Sequence, residues 1–106
     1  MRYTILVHVK ASEKNSENDE LVEISIDGTL DLHHFKPSEI SELVVDYLQE
    51  CQQRGITAVR IIHGKGTGTL RETVHAVLRK RQEVQSFRIA DGTGGGWGAT
   101  LVTLKL

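Results

Sequence analysis

The sequence predicts an α/β fold. It reads as a mixed four-stranded sheet in βαβαββ order with two helices on one face, plus an N-terminal β-hairpin extension. Three observations carry this expectation. Short runs with a two-residue apolar alternation are interleaved with two longer runs of helical period. Glycine and proline mark the junctions between them. Two successive strand–helix–strand units imply parallel pairing through right-handed crossovers.

The elements follow in order. Residues 3–10 and 22–27 read as strands, the second alternating Val22, Ile24 and Ile26 with Glu23, Ser25 and Asp27. The polar run 11–20 between them reads as a mobile hairpin loop. Asp27-Gly28 is a turn signal, and residues 30–33 form a short strand. Pro37 opens the first helix, where its missing N–H is harmless. Ile40, Leu43, Val44, Tyr47, Leu48 and Cys51 recur as one stripe, with Glu39 and Glu42 at the favourable dipole end. Gly55 is the expected left-handed stop.

Residues 57–62, rich in β-branched side chains, form the next strand. A glycine-rich turn follows, then a second helix. Thr69 and Glu72 have capping-box spacing, which makes Thr69 the expected N-cap, and Leu70, Val74, Val77 and Leu78 supply the apolar face. Residues 85–90 and 100–104 are the last strands, expected to pair antiparallel around a second glycine cluster. The chain thus divides into residues 1–29, the hairpin extension, and 30–106, the domain proper.

Bulk composition limits the functional classes. A chain of 106 residues supports one core without covalent staples. Its net charge of −1 means that any nucleic-acid surface must be a local patch. The single cysteine, Cys51, forbids an intrachain disulfide and reads as a buried inert thiol. No run approaches the ~20 apolar residues of a membrane span, so a cytoplasmic protein with no membrane partner is expected.

The chemistry concentrates at three places. Asp31 and His33 stand two apart on a strand, which puts both on one face. A carboxylate there can orient the imidazole and raise its basicity, or simply form a surface ion pair. His63, Gly64, Lys65, Gly66 and Gly68 form a glycine turn at a helix start, where unpaired N–H groups and the helix dipole favour a phosphate. The same glycines would also serve a plain tight turn. The second cluster, with Gly95, Gly96, Trp97 and Gly98, offers close backbone approach and an indole that either stacks on a base or folds back as a lid. Arg71, Arg79, Lys80, Arg81 and Arg88 give the second helix and its exit a basic bias near the glycine turn. His34 and His75 have no clear role from sequence.

Three motifs carry a family resemblance. They are Leu30-Asp31-Leu32-His33, then His63-Gly64-Lys65-Gly66-Thr67-Gly68-Thr69-Leu70-Arg71, then Gly95-Gly96-Trp97-Gly98-Ala99-Thr100. In this order the chain from residue 30 onward resembles the small MutS-related (Smr) domain. The resemblance implies a two-layer α/β sandwich and an endonuclease that nicks DNA or cuts RNA. It also implies DNA or RNA as partner, in a DNA-repair or ribosome-associated context. It links Asp31 and His33 to cleavage and the His63 to Gly68 motif to catalysis or nucleic-acid binding. One departure stands out: the family usually has glycine where this chain has His34, which either narrows the approach to Asp31 and His33 or adds a proton donor.

The expected catalytic residues are therefore Asp31, His33 and His63. The expected phosphate ligands are Gly64, Lys65, Gly66, Gly68, Arg71, Gly95, Gly96, Trp97 and Gly98. Metal use stays open. One carboxylate with one or two imidazoles can hold a divalent ion such as Mg or Mn weakly, whereas an RNA-only route through the 2′-hydroxyl needs none. The alternative function is a non-catalytic module that binds branched or structured DNA or RNA, and a third is a protein-interaction domain.

Overall fold

The computed structural model describes residues 3–10, 19–90 and 98–106. The chain runs β1 (Tyr3–Lys10), β2 (Asp19–Ile26), β3 (Thr29–Asp31), α1 (Pro37–Gln53), β4 (Ala58–Ile62), α2 (Thr69–Lys80), β5 (Val84–Ile89) and β6 (Ala99–Leu104). Strands β1 and β2 form an antiparallel two-stranded sheet. The other four form one mixed sheet in the order β3-β4-β6-β5. The expected fold class is what the chain adopts. The second strand of the hairpin begins earlier than expected, because Asp19 and Glu20 pair with Lys10 and Val9 within the ladder.

Pairing in the mixed sheet departs from expectation at one point. Only β3 and β4 are parallel neighbours, with Asp31 opposite Ile62. Strand β6 enters antiparallel between β4 and β5, so the second strand–helix–strand unit joins strands that do not touch. Burial explains the order. Thr100, Val102 and Leu104 on β6 are all buried, which suits a central strand. Four of the six residues of β5 are exposed, which suits an edge.

One core joins the layers. Leu30, Val59, Ile61, Val102 and Leu104 point from the sheet toward the α1 stripe of Ile40, Leu43, Val44, Tyr47, Leu48 and Cys51, and toward Val74 and Leu78 of α2. The whole stripe read from the sequence is buried. Burial pushes the Cys51 thiol up to about 11, so it stays protonated and inert. Gly55 has φ 75°, the left-handed stop that frees α1 to turn into β4. Ile5, Val7 and Ile24 of the hairpin pack on this core, and the Arg54 guanidinium lies 4.7 Å from the Tyr3 ring centre.

Tyr47 fixes the entry into β3. Its hydroxyl accepts from the buried Gly28 N–H at 3.0 Å and donates to the Thr29 carbonyl at 3.1 Å. Burial raises the phenol well above its ordinary value, so it keeps its proton. Replacing Tyr47 by Phe leaves the buried Gly28 N–H without a partner. A loss of about 1–3 kcal/mol is expected in urea unfolding, and an unchanged midpoint would show that the bond contributes nothing.

Candidate functional site

The site forms where the C-terminal ends of β3 and β4 lie side by side, the usual ligand-binding edge of such sheets. The Leu32 N–H donates to the Ile62 carbonyl at 2.9 Å, which carries the parallel ladder one residue past Asp31. The chain then turns. Asp31 Oδ1 accepts from the His33 backbone N–H at 2.9 Å and lies 2.5 Å from His33 Nδ1.

This corrects the sequence reading in one respect. Asp31 and His33 are together, but β3 ends at Asp31, and His33 stands in the turn that the Asp31 carboxylate caps. Because a carboxylate only accepts, Nδ1–H donates to it, and in the neutral ring Nε2 then presents its lone pair. The His33 backbone N–H is the main cause that holds the Asp31 carboxyl below its ordinary value, so it stays charged beside the ring. Both side chains are about half exposed. His34 is exposed too, and no described non-glycine residue has positive φ, so the histidine sits there without backbone strain.

The glycine turn wraps over this pair. Gly64 has φ 84°, and a methyl group on it would sit 3.5 Å from His33 Nε2. The Gly98 carbonyl accepts from both His63 N–H at 2.9 Å and Gly64 N–H at 2.8 Å, which ties the turn to the start of β6. A side chain at Gly98 would meet the Gly64 backbone and the Lys65 stem at 3.4–3.5 Å, so these elements are in contact. Lys65 itself is exposed.

A cleft of about 180 Å³ lies between this turn and the first turn of α2, lined by Gly64, Gly66, Gly68 and Arg71 among others. Gly68, not Thr69, is the N-cap of α2, in the left-handed conformation with φ 89°. Thr69 has the right spacing for a capping box, but its hydroxyl pairs with Thr67 instead. Among the described residues no side chain caps the helix, so its first N–H groups lie at the cleft without intrahelical partners. The Arg71 guanidinium folds back over Gly68, where a Cβ would come within 2.8 Å of it.

His63 occupies a different place from His33. It is buried, its Nδ1 lies 2.9 Å from the Gly64 carbonyl, and its Nε2 lies 2.9 Å from Thr100 Oγ1. The carbonyl can only accept, so Nδ1–H donates to it and Nε2 accepts from the Thr100 hydroxyl. That hydroxyl has one hydrogen, so His75 Nε2–H must donate to the same oxygen at 2.9 Å. Burial, with His63 next, holds His75 below its ordinary value and keeps it neutral. Thus three buried polar side chains lock the glycine turn to β6 and α2. Thr100 and His75 were missed from sequence, although Thr100 stands inside the third motif.

The remaining expectations divide. Gly95, Gly96 and Trp97 lie outside the described residues, as do residues 11–18 of the polar run. Arg81 donates to the carboxylate of Glu83 and is not free for phosphate. Arg79 and Lys80 sit in the last turn of α2, at the end away from the glycine turn, where cations offset the helix dipole. Among the described residues, no three His, Cys, Asp or Glu side chains converge to hold a metal ion, and no helix is long and apolar enough to cross a membrane.

The lock makes two predictions. Thr100→Val keeps the shape but strands two buried imidazole nitrogens, and a loss of about 2–4 kcal/mol is expected in urea unfolding; Thr100→Ser should restore most of it. The pH dependence follows from His75. Its folded pKa is lowered from 6.5, so below that pH the unfolded chain binds the proton more readily. Stability is then fully present above pH 6.5 and falls as the pH drops through the interval down to the folded value. His75→Gln should flatten the melting temperature over that interval; an unaltered slope would exclude His75 as its source.

Comparison with known proteins bears on the family and the fold. The sequence model of the Smr domain matches residues 30–105. The chain is 37% identical over 81 residues to the endonuclease MutS2 of Clostridium acetobutylicum, a stretch that is 76% of this chain and 10% of that protein. It is 45% identical over 60 residues to the endonuclease MutS2 of Thermomicrobium roseum, covering 57% of this chain and 8% of that protein. Among solved structures, the Smr domain of Thermus thermophilus MutS2 superposes with a TM-score of 0.71 at 35% identity, over 76% of this chain and 100% of that one. YdaL, a stand-alone small MutS-related protein from Escherichia coli, gives 0.70 at 29% identity over 74% and 65% of the two chains. This chain therefore belongs to the Smr domain family.

Proposed function

We propose that this chain is a phosphodiesterase that cuts nucleic acid internally, with Asp31 and His33 as its reacting pair. The observation that carries the reading is the free Nε2 of His33, aimed at Gly64 while Asp31 holds Nδ1. The names of the MutS2 relatives support it.

The chemistry follows from the residues. A phosphodiester seated in the cleft meets the unpaired N–H groups that open α2 and the Arg71 side chain, with the exposed Lys65 in the same turn. His33 Nε2 takes the proton from the attacking oxygen, either a water or a 2′-hydroxyl, as that oxygen bonds to phosphorus; the bridging P–O bond of the scissile link breaks, and the departing oxygen takes a proton from water. The charged Asp31 carboxylate then holds the imidazolium. Negative charge growing on the phosphoryl oxygens is met by donors already in place. His63 stands in this reading as a positioning residue, since both of its nitrogens are engaged in the lock. Asp31 and His33 alone make a poor cage for Mg or Mn, so no step is routed through a metal.

A cleavage assay on supercoiled plasmid and on structured RNA, with and without divalent metal, tests the reading. The wild type should cut at least one of them. Asp31→Ala and His33→Ala should each lower the rate about a hundredfold or more while binding stays nearly unchanged. Lys65→Ala should weaken binding and lower the salt slope by about 0.7–0.9. Equal cutting by wild type and Asp31→Ala would remove the pair from the mechanism. Salt-dependent binding without any scission would leave a binding module only.

A further inference from the structure

The sheet has a second face, opposite the helices. Leu30, Val59, Ile61 and Val102 point to the core, so their strand neighbours Thr29, Asp31, Arg60 and Leu101 point the other way. The register sets them in rows. Thr29 is opposite Arg60, Arg60 is opposite Leu101, and Leu101 is opposite Arg88. Two arginines therefore flank one leucine across three strands, roughly 10 Å apart at the backbone. Asp31 stands two residues beyond Thr29 on the same face, roughly 7 Å further along the strand. A shallow concavity of about 530 Å³ covers this area, with Arg60, Arg88, Leu101, Thr29 and Thr103 in its lining.

Charge distinguishes this face from the rest of a chain whose net charge is −1. Neither the Arg60 nor the Arg88 side chain has a hydrogen-bond or ion-pair partner among the described residues. The one acid in the lining, Asp27, is turned to its own loop, accepting from Thr29 N–H at 3.0 Å. Unpaired guanidiniums around an apolar side chain complement phosphates that alternate with sugars and bases.

We propose that this open face is the track along which a nucleic-acid strand reaches Asp31 and His33, with Arg60 and Arg88 pairing its phosphates and Leu101 contacting the sugar or base between them. The inference rests on the nucleic-acid reading above and adds where the strand lies. It makes the cleft at α2 the end of a longer site, and it assigns binding to two arginines that belong to none of the sequence motifs.

The test is fluorescence anisotropy of short labelled DNA and RNA single strands, titrated with the whole chain at several salt concentrations. Arg60→Ala with Arg88→Ala should weaken binding about tenfold or more and lower the salt slope by about 1.4, the value for two lost phosphate contacts. Leu101→Glu, which sets a carboxylate between the arginines, should weaken it similarly. Arg79→Ala with Lys80→Ala removes the same charge at the far end of α2 and should alter affinity by less than about twofold. Circular dichroism checks that each variant is folded. Unchanged affinity and slope in the double arginine variant, or equal weakening in the α2 control, would overturn the track while leaving the reacting pair standing. A wild type with no affinity for either strand at low salt would overturn both.

Discussion

Two backbone N–H groups, those of His63 and Gly64, converge on the single carbonyl of Gly98, and the site depends on this convergence. The strand β4 delivers the chain to the sheet edge, but a glycine-rich segment leaving it has many conformations open to it. Sharing one acceptor removes that freedom at the point where Gly64 passes His33. Without the tie the cleft before α2 would have no fixed wall. The first turn of α2 supplies the other wall, and the parallel pairing of β3 with β4 sets Asp31 beside Ile62, one residue before the turn.

The buried His63–Thr100–His75 chain reinforces the same joint from below. Each hydrogen bond in it has one allowed direction, since the Gly64 carbonyl at one end can only accept. A network with a single proton arrangement specifies one packing of β4, α2 and β6, and its desolvated groups make other packings costly. This division of labour explains why the two histidines differ. His33 is exposed and holds a free nitrogen, whereas His63 is enclosed and holds none.

Much of this was legible in the sequence. The α1 stripe, the Gly55 stop and the glycine turn after β4 are local signals, and the fold keeps them. The nearness of Asp31 and His33 was also legible, although a capped turn rather than strand alternation brings them together. Three things were not. The insertion of β6 between β4 and β5 depends on which strand can be buried on the core side along its whole length, a comparison between distant segments. The enclosure of His63 depends on Thr100, which is 37 residues away. The N-cap at Gly68 depends on the left-handed backbone that the turn imposes, and this overrode the capping spacing of Thr69 and Glu72. The arginine pair on the open face likewise exists only through register, since Arg60 and Arg88 share no local pattern.

The central claim is that one phosphodiester contacts the His33 ring and the glycine turn at the same time. Nuclear magnetic resonance of the labelled chain, titrated with a short non-cleavable oligonucleotide, tests it most directly. The account predicts that the His33 ring nitrogens and the amides of residues 64–71 shift together along one binding curve, while the His63 and His75 rings keep their hydrogen-bonded signals. Shifts that spare His33 and the turn, or that follow separate curves at the two, would contradict it.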